Sequence, residues 1–173
     1  QLPLNGVADN PINILSVSGS VPFPERFFKR LKTIVSVIQD LYNGKVKGYQ
    51  ISRSQTQDLI LRTLKKAINS NEDLSKLLIH SDQGILYQSP KYRNYLKKSS
   101  FTQSMSAKGN AYDNAVVESF FGTLKCKTIY LQKVKSLSDL IRTIDEYIYW
   151  YNHERIKLTL GGYSPIQYRL MNQ

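Results

Sequence analysis

The dipeptide Asn43-Gly44 constrains the fold more than any other feature of this chain. It follows the β-branched run Ile34-Val35-Ser36-Val37-Ile38 and precedes Lys45 to Ser52, which reads as a return strand. Asn-Gly tolerates the positive backbone angles of a tight turn, so the pair predicts an antiparallel hairpin. Beyond it the period changes. Ser54-x-x-Gln57 has the form of a capping box, and Leu59, Ile60, Thr63, Leu64, Ala67 and Ile68 then recur on one helical face. Leu77 to Ser81 is a short apolar run that reads as a buried strand. Ser89-Pro90 predicts a short helix to about Lys98. Phe101 to Ser106 fits another strand, and Lys108-Gly109-Asn110 a loop. A helix from Tyr112 to about Lys127 follows. Ser136 caps a long helix with Leu137, Leu140, Ile141, Ile144, Ile148 and Tyr151 on one stripe. Gly161-Gly162 breaks the chain, and Ser164-Pro165 opens a last short helix.

A hairpin followed by alternating helices and strands argues for an α/β protein. Its mixed sheet is flanked by helices on both faces, the outline of an RNase H-like fold. A length of 173 residues is enough for a substantial core. The expected division is a degenerate or irregular N-terminal segment over 1–32, a core over 33–130, and a C-terminal helical extension of that core over 131–173. Within the first segment, Asn10-Pro11 and Ser16-Val17-Ser18-Gly19-Ser20 read as turn or loop. No run approaches the ~18 apolar residues of a membrane helix, so no membrane partner is expected. The first residues lack the basic start and apolar centre of a signal peptide. The missing initiator Met suggests a fragment.

The formal charge is +11, from 24 Lys and Arg against 13 Asp and Glu. The bland reading is solubility; the functional one is a nucleic-acid partner, because neutralising phosphates releases counterions. The single cysteine, Cys126, excludes an internal disulfide and a multi-cysteine zinc site. It fits a reducing, cytoplasmic setting and is expected to be a small buried side chain.

Two carboxylates stand out. Asp82 closes the predicted strand Leu77–Ser81, and Glu118 lies in a helix beside Val116, Val117, Phe120 and Phe121. Acids presented from rigid elements can hold a divalent ion, and such ions drive phosphodiester chemistry. Against this, Asp82 reads equally as a turn residue, and Glu118 as one exposed helical acid among many. The apolar neighbours of Glu118 argue for a buried helix, where a carboxylate is costly unless paired or metal-bound. Lys125, two turns on, shares the Glu118 face, as does Asn114 one turn before. His80 is either a group behind Asp82 or a satisfied core histidine. His153 fits structural packing or a nucleic-acid contact.

His80-Ser81-Asp82-Gln83-Gly84 and the long run from Ser104 through Lys108-Gly109-Asn110, Tyr112-Asp113-Asn114 and Glu118-Ser119-Phe120-Phe121 to Lys125 closely resemble bacterial insertion-sequence transposases with a retroviral-integrase-like core. Tyr147 to Asn152 with Arg155, and Leu160-Gly161-Gly162-Tyr163-Ser164-Pro165, resemble that group's C-terminal signature. Val37 to Asn43 resembles its second strand. The resemblance covers about 33–170. It implies an Asp-Asp-Glu metal site on an RNase H-like fold, with Asp82 and Glu118 as second and third members, thirty-five residues apart as in the family. It also implies a basic residue at Lys125, DNA contacts at Lys108, Asn114 and Lys125, and Mg²⁺ or Mn²⁺ as cofactor. The implied chemistry is DNA end cleavage followed by attack of the freed 3′ hydroxyl on target DNA. The implied partners are element ends, target DNA and further copies of the chain, in a bacterial cytoplasm at the nucleoid.

The family's first Asp, on the first strand before Pro-Phe, has no counterpart. Counting back from Pro22-Phe23, its slot falls near Ser16-Val17-Ser18, and no carboxylate lies between Asp9 and Glu25. Asp40 matches a second-strand position that is not catalytic. The expectation is therefore an impaired transposase, or a catalytically inactive DNA-binding remnant of one. A scrambled stretch over about 12–32, with recognisable sequence on both sides, suggests two compensating frame changes.

Overall fold

The computed structural model describes residues 14–22, 33–68, 77–106, 115–130, 134 and 136–172. Five strands form one sheet: β1 (Ile14–Pro22), β2 (Ile34–Asp40), β3 (Val46–Ser52), β4 (Leu78–Ser81) and β5 (Thr102–Met105), in the order β3-β2-β1-β4-β5. The β1–β2 and β2–β3 pairs are antiparallel; β1–β4 and β4–β5 are parallel. Among the described residues five α-helices accompany them: α1 (Gln57–Ala67), α2 (Pro90–Lys98), α3 (Ala115–Lys125), α4 (Leu137–His153) and α5 (Pro165–Met171). This is the mixed α/β architecture that the alternation predicts.

The expected hairpin forms around Asn43-Gly44, with Gly44 at φ +75°. All seven residues of β2 are buried, because both faces of the strand are covered. Val35 and Val37 pack with Val117, Phe120, Phe121 and Leu124 of α3, and with Leu140, Ile144, Tyr147, Ile148 and Tyr151 of α4. Ile38 has the opposite parity and packs with Ile60, Leu64 and Ala67 of α1 and with Ile79, Tyr92 and Leu96. Edge-to-face rings lock α3 to α4: the Phe120 and Tyr151 centroids lie 4.9 Å apart at 89°.

Three local expectations are corrected. Residues 16–20 are strand, not loop, because β1 pairs with β2 on one side, across a bulge between Ser18 and Val21, and with β4 on the other up to Val17. The cap of α1 is Thr56, whose hydroxyl accepts from Leu59 N–H at 3.1 Å, rather than Ser54. Ser54 instead sits in the bend after β3, its N–H donating to Ser52 Oγ at 3.3 Å. Ile141 is 38% exposed, because Leu140, Ile144, Tyr147, Ile148 and Tyr151 already fill the face of α4 that meets the sheet. The caps at Ser89, Ser136 and Ser164 form as expected, the last as a complete capping box with Gln167.

The C-terminal helical hairpin, α4 and α5 with residues 154–164 between them, is tied to the β2–β3 turn. Asn152 brackets Val46, accepting from its N–H at 2.9 Å and donating to its carbonyl at 3.0 Å. Asn43 donates to the Pro165 carbonyl at 2.9 Å. Arg169 of α5 donates to Asp40 at the end of β2 at 2.5 Å.

Helix α1 crosses β3 at Gly48, where an added Cβ would lie 2.7 Å from the Ala67 backbone nitrogen. Backbone in a packed helix shifts only at a cost, so Gly48→Ala is expected to destabilise by about 1–3 kcal/mol. Chemical denaturation would read this as a lower midpoint at unchanged slope; an unchanged midpoint would refute the close crossing.

Candidate active site

Asp82 follows β4 directly, at the carboxyl end of a parallel strand, where open α/β sheets bind ligands. It is half-buried, and its Oδ1 accepts from Gly84 N–H at 2.8 Å. A Cβ on Gly84 would stand 2.8 Å from that same oxygen, so glycine keeps the turn open. Gln55, Asp82, Gly84, Ile85, Leu86 and Tyr87 line a shallow cleft of about 270 Å³. Ile85 is 85% exposed at its rim. Burial, with the Asp82 charge adding to it, pushes the Tyr87 hydroxyl well above the usual tyrosine range. Gln55 carries no sequence signal for this site; only the fold brings it beside Asp82.

The side chains behind the strand are well ordered by hydrogen bonds. His80 is buried, with Nδ1 3.2 Å from Ser104 Oγ and Nε2 3.1 Å from Ser106 Oγ. It thereby tethers β4 to the strand beside it. Gln83 donates to the Ser106 carbonyl at 3.0 Å, and Ser106 N–H donates to the Ser81 carbonyl at 2.9 Å. These contacts fix the loop that presents Asp82.

Glu118 lies in the first turn of α3. It is exposed, which corrects the expectation of a buried acid. Val117, Phe120, Phe121 and Leu124 make the inner stripe, while Val116 is 45% exposed on the outer side with Glu118. Lys125 closes the same helix. Cys126 is exposed in the π-helical turn Cys126–Tyr130, against the expectation of burial. Lys108 and Asn114 lie outside the described residues.

Backbone register defines the neighbour of Asp82. Ser16 pairs with His80, and Val17 with Ser81, in the parallel β1–β4 ladder. One step further along the strands, Ser18 comes beside Asp82. Helix α3 also rests against β1. Carboxylate oxygens are the donors that Mg²⁺ and Mn²⁺ prefer. Among the described residues the ion pairs are Arg62–Asp58, Arg142–Asp139 and Arg169–Asp40, and none of them involves Asp82 or Glu118. Among the described residues no three His, Cys, Asp or Glu side chains gather into a metal-binding group. The donor set therefore suits a divalent ion only in part.

Two family profiles, each described as Integrase core domain, match residues 19–111 and 118–172. An uncharacterized transposase-like protein of Haemophilus influenzae is 43% identical over 138 residues, covering 80% of this chain and 63% of that protein. A putative transposase for insertion sequence element IS150 of Escherichia coli is 41% identical over 138 residues, covering 80% of this chain and 49% of that protein. The chain thus spans about half the length of the curated relatives it matches. In three dimensions it is similar to the HTLV-2 integrase catalytic core domain in complex with magnesium, at TM-score 0.69 and 18% identity, covering 91% of this chain and 95% of that one. It is likewise similar to the BIV integrase catalytic core, at TM-score 0.70 and 18% identity, covering 93% and 95%. The fold is that of retroviral integrase cores, and the chain belongs to the integrase core domain family.

Proposed function

We propose that this chain is the catalytic core of an insertion-sequence transposase, cutting element ends and joining them to target DNA, with activity impaired by a missing carboxylate. The observation that carries the reading is the β1–β4 register. Val17 faces Ser81 across the ladder, so the strand beside Asp82 carries Ser16, Val17 and Ser18 where a third acid would stand. Transposase relatives at 41–43% identity support the choice of reaction.

Asp82 and Glu118 would hold a Mg²⁺ or Mn²⁺ ion, which when bound polarises a phosphodiester oxygen. The chain's own residues do the remaining work. The Gly84 N–H holds one Asp82 oxygen and so fixes the carboxylate's direction. His80, through Ser104 and Ser106, keeps the strand end rigid beneath it. Lys125, two turns from Glu118, offers a cation to a neighbouring phosphate. Lys108 and Asn114 are further DNA contacts in this reading. The net charge of +11 supports a polyanionic substrate. Among the described residues no helix is long and apolar enough to cross a membrane. Action as a homo-oligomer on DNA, in the bacterial cytoplasm at the nucleoid, completes the proposal; the HTLV-2 core was solved in trimeric and dimeric forms.

The test is cleavage of a duplex carrying the ends of the encoding element, with Mg²⁺ or Mn²⁺. Weak cleavage is expected, strongest in Mn²⁺ and lost in Asp82→Asn, while DNA affinity stays within about twofold, because a single acid contributes little to phosphate contacts. Cleavage that survives Asp82→Asn would refute the site. Salt-dependent binding with no cleavage by either protein would identify a DNA-binding remnant instead.

A further inference from the structure

The chain leaving α4 turns back across the ring of Tyr151. The Arg155 guanidinium carbon lies 5.1 Å from the ring centroid, and Lys157 Nζ lies 5.6 Å from the same centroid. Lys157 also donates to the Tyr151 hydroxyl at 3.5 Å. That hydroxyl accepts from Gln39 Nε2 at 3.3 Å as well, so the ring is held from the sheet side. Both cations are half-buried, and neither belongs to any ion pair formed among the described residues. The neighbouring acid, Glu154, is exposed and likewise unpaired.

Two like charges at one side chain, partly removed from water, repel each other, and no ion pair among the described residues offsets them. The environment registers this: burial, and then the Arg155 charge, hold the Lys157 ammonium below the usual lysine range. A cation–π contact offsets only part of such a cost. The Lys157 ammonium also packs close against Gly44, where an added Cβ would overlap it. The result is a pair of donors gathered at one side chain, a planar guanidinium at the Tyr151 ring and a compact ammonium at its hydroxyl end.

We propose that Arg155 and Lys157, over Tyr151, form a binding site for a backbone phosphate of DNA, separate from the Asp82 cleft. A phosphate suits it because a single tetrahedral anion can accept from a guanidinium and an ammonium at once. DNA as the source of that phosphate rests on the functional reading above; the site itself rests on the charge geometry. The expected role is to fix the duplex on the C-terminal hairpin rather than to react with it.

The experiment measures affinity for a short duplex by fluorescence anisotropy across a salt series, using the whole chain. Each phosphate contact contributes about 0.9 to the slope of log affinity against log salt. Arg155→Gln/Lys157→Gln is expected to flatten the slope by about 0.9, one phosphate contact, and weaken binding tenfold or more at low salt. Lys157→Arg should keep the slope. Arg62→Gln, which removes an exposed cation already paired with Asp58, is the surface control and should leave it unchanged. Because Lys157 packs on Tyr151, a second readout needs no variant. In the native chain, duplex DNA should protect Lys157 from amine acetylation, read by mass spectrometry, whereas inorganic phosphate should do so only weakly. An unchanged slope in the folded double variant, or equal acetylation of Lys157 with and without bound DNA, would overturn the site while leaving the transposase reading intact. A chain that binds no DNA at any salt would overturn both.

Discussion

Replacing Ser18 with aspartate is expected to raise metal-dependent DNA cleavage by about a hundredfold or more. Charge stabilisation by a properly held divalent ion is worth several kcal/mol in a transition state, and ~3 kcal/mol corresponds to ~10²-fold in rate. The choice of position follows from pairing rather than from sequence similarity. Ser16 and Val17 stand opposite His80 and Ser81, so Ser18 is the β1 residue that continues the ladder to Asp82. An acid there would add a third carboxylate to the proposed pair of Asp82 and Glu118. Ser18→Asn, of similar size but uncharged, should give no gain. Ser18→Asp combined with Asp82→Asn should fall back to the level of Asp82→Asn alone. Equal cleavage by the native chain and Ser18→Asp, with folding and DNA binding intact, would show that the missing acid is not what limits the reaction.

Arg169→Met is expected to cost about 3–5 kcal/mol of stability, the range for breaking a buried ion pair from one side. Asp40 is nearly inaccessible, with 2% of its side chain exposed, and Arg169 is 26% exposed. The carboxylate keeps one other donor, the Tyr42 N–H at 2.9 Å from Oδ1. Without Arg169 its second oxygen would remain buried with no cation. For a chain of this size the loss corresponds to a fall in melting temperature of roughly 10 °C. Asp40→Asn in the same background should recover part of it by removing the stranded charge. A melting temperature within a degree of the native value would show that α5 does not rely on this pair. The result would also assign Asp40, a conspicuous acid near the sheet, to holding the C-terminal hairpin rather than to chemistry.

The legible parts of the fold were those written in short-range pattern. Asn43-Gly44 sets its own turn, and the serines ahead of α2, α4 and α5 cap their helices through hydroxyls that reach only three residues along. The position of Asp82 at a strand end was legible because an apolar run closed by an acid and a glycine reads as a short strand followed by a turn. The misreadings are those where a distant partner decides. Strand β1 has a serine- and glycine-rich sequence with turn character, and β2 and β4 make it a strand by pairing along its two edges. The surroundings of Glu118 were misjudged because apolar neighbours were counted without their helical phase, which turns Val116 outward with the acid. Gln55 precedes α1 and reaches the Asp82 cleft only through the crossover, which no local pattern encodes.

Strand β1 occupies the middle of the sheet, and its neighbours engage it through main-chain amides and carbonyls that every non-proline residue possesses. Such a seat is filled by any sequence willing to extend. A gene can therefore have this stretch rewritten, lose an acid on which its chemistry depends, and still yield a compact product that cellular proteases have little reason to clear. A mobile-element protein on this fold that did lose such an acid could persist as a folded product long after its element stopped moving, open to recruitment for a task that needs grip and not scission.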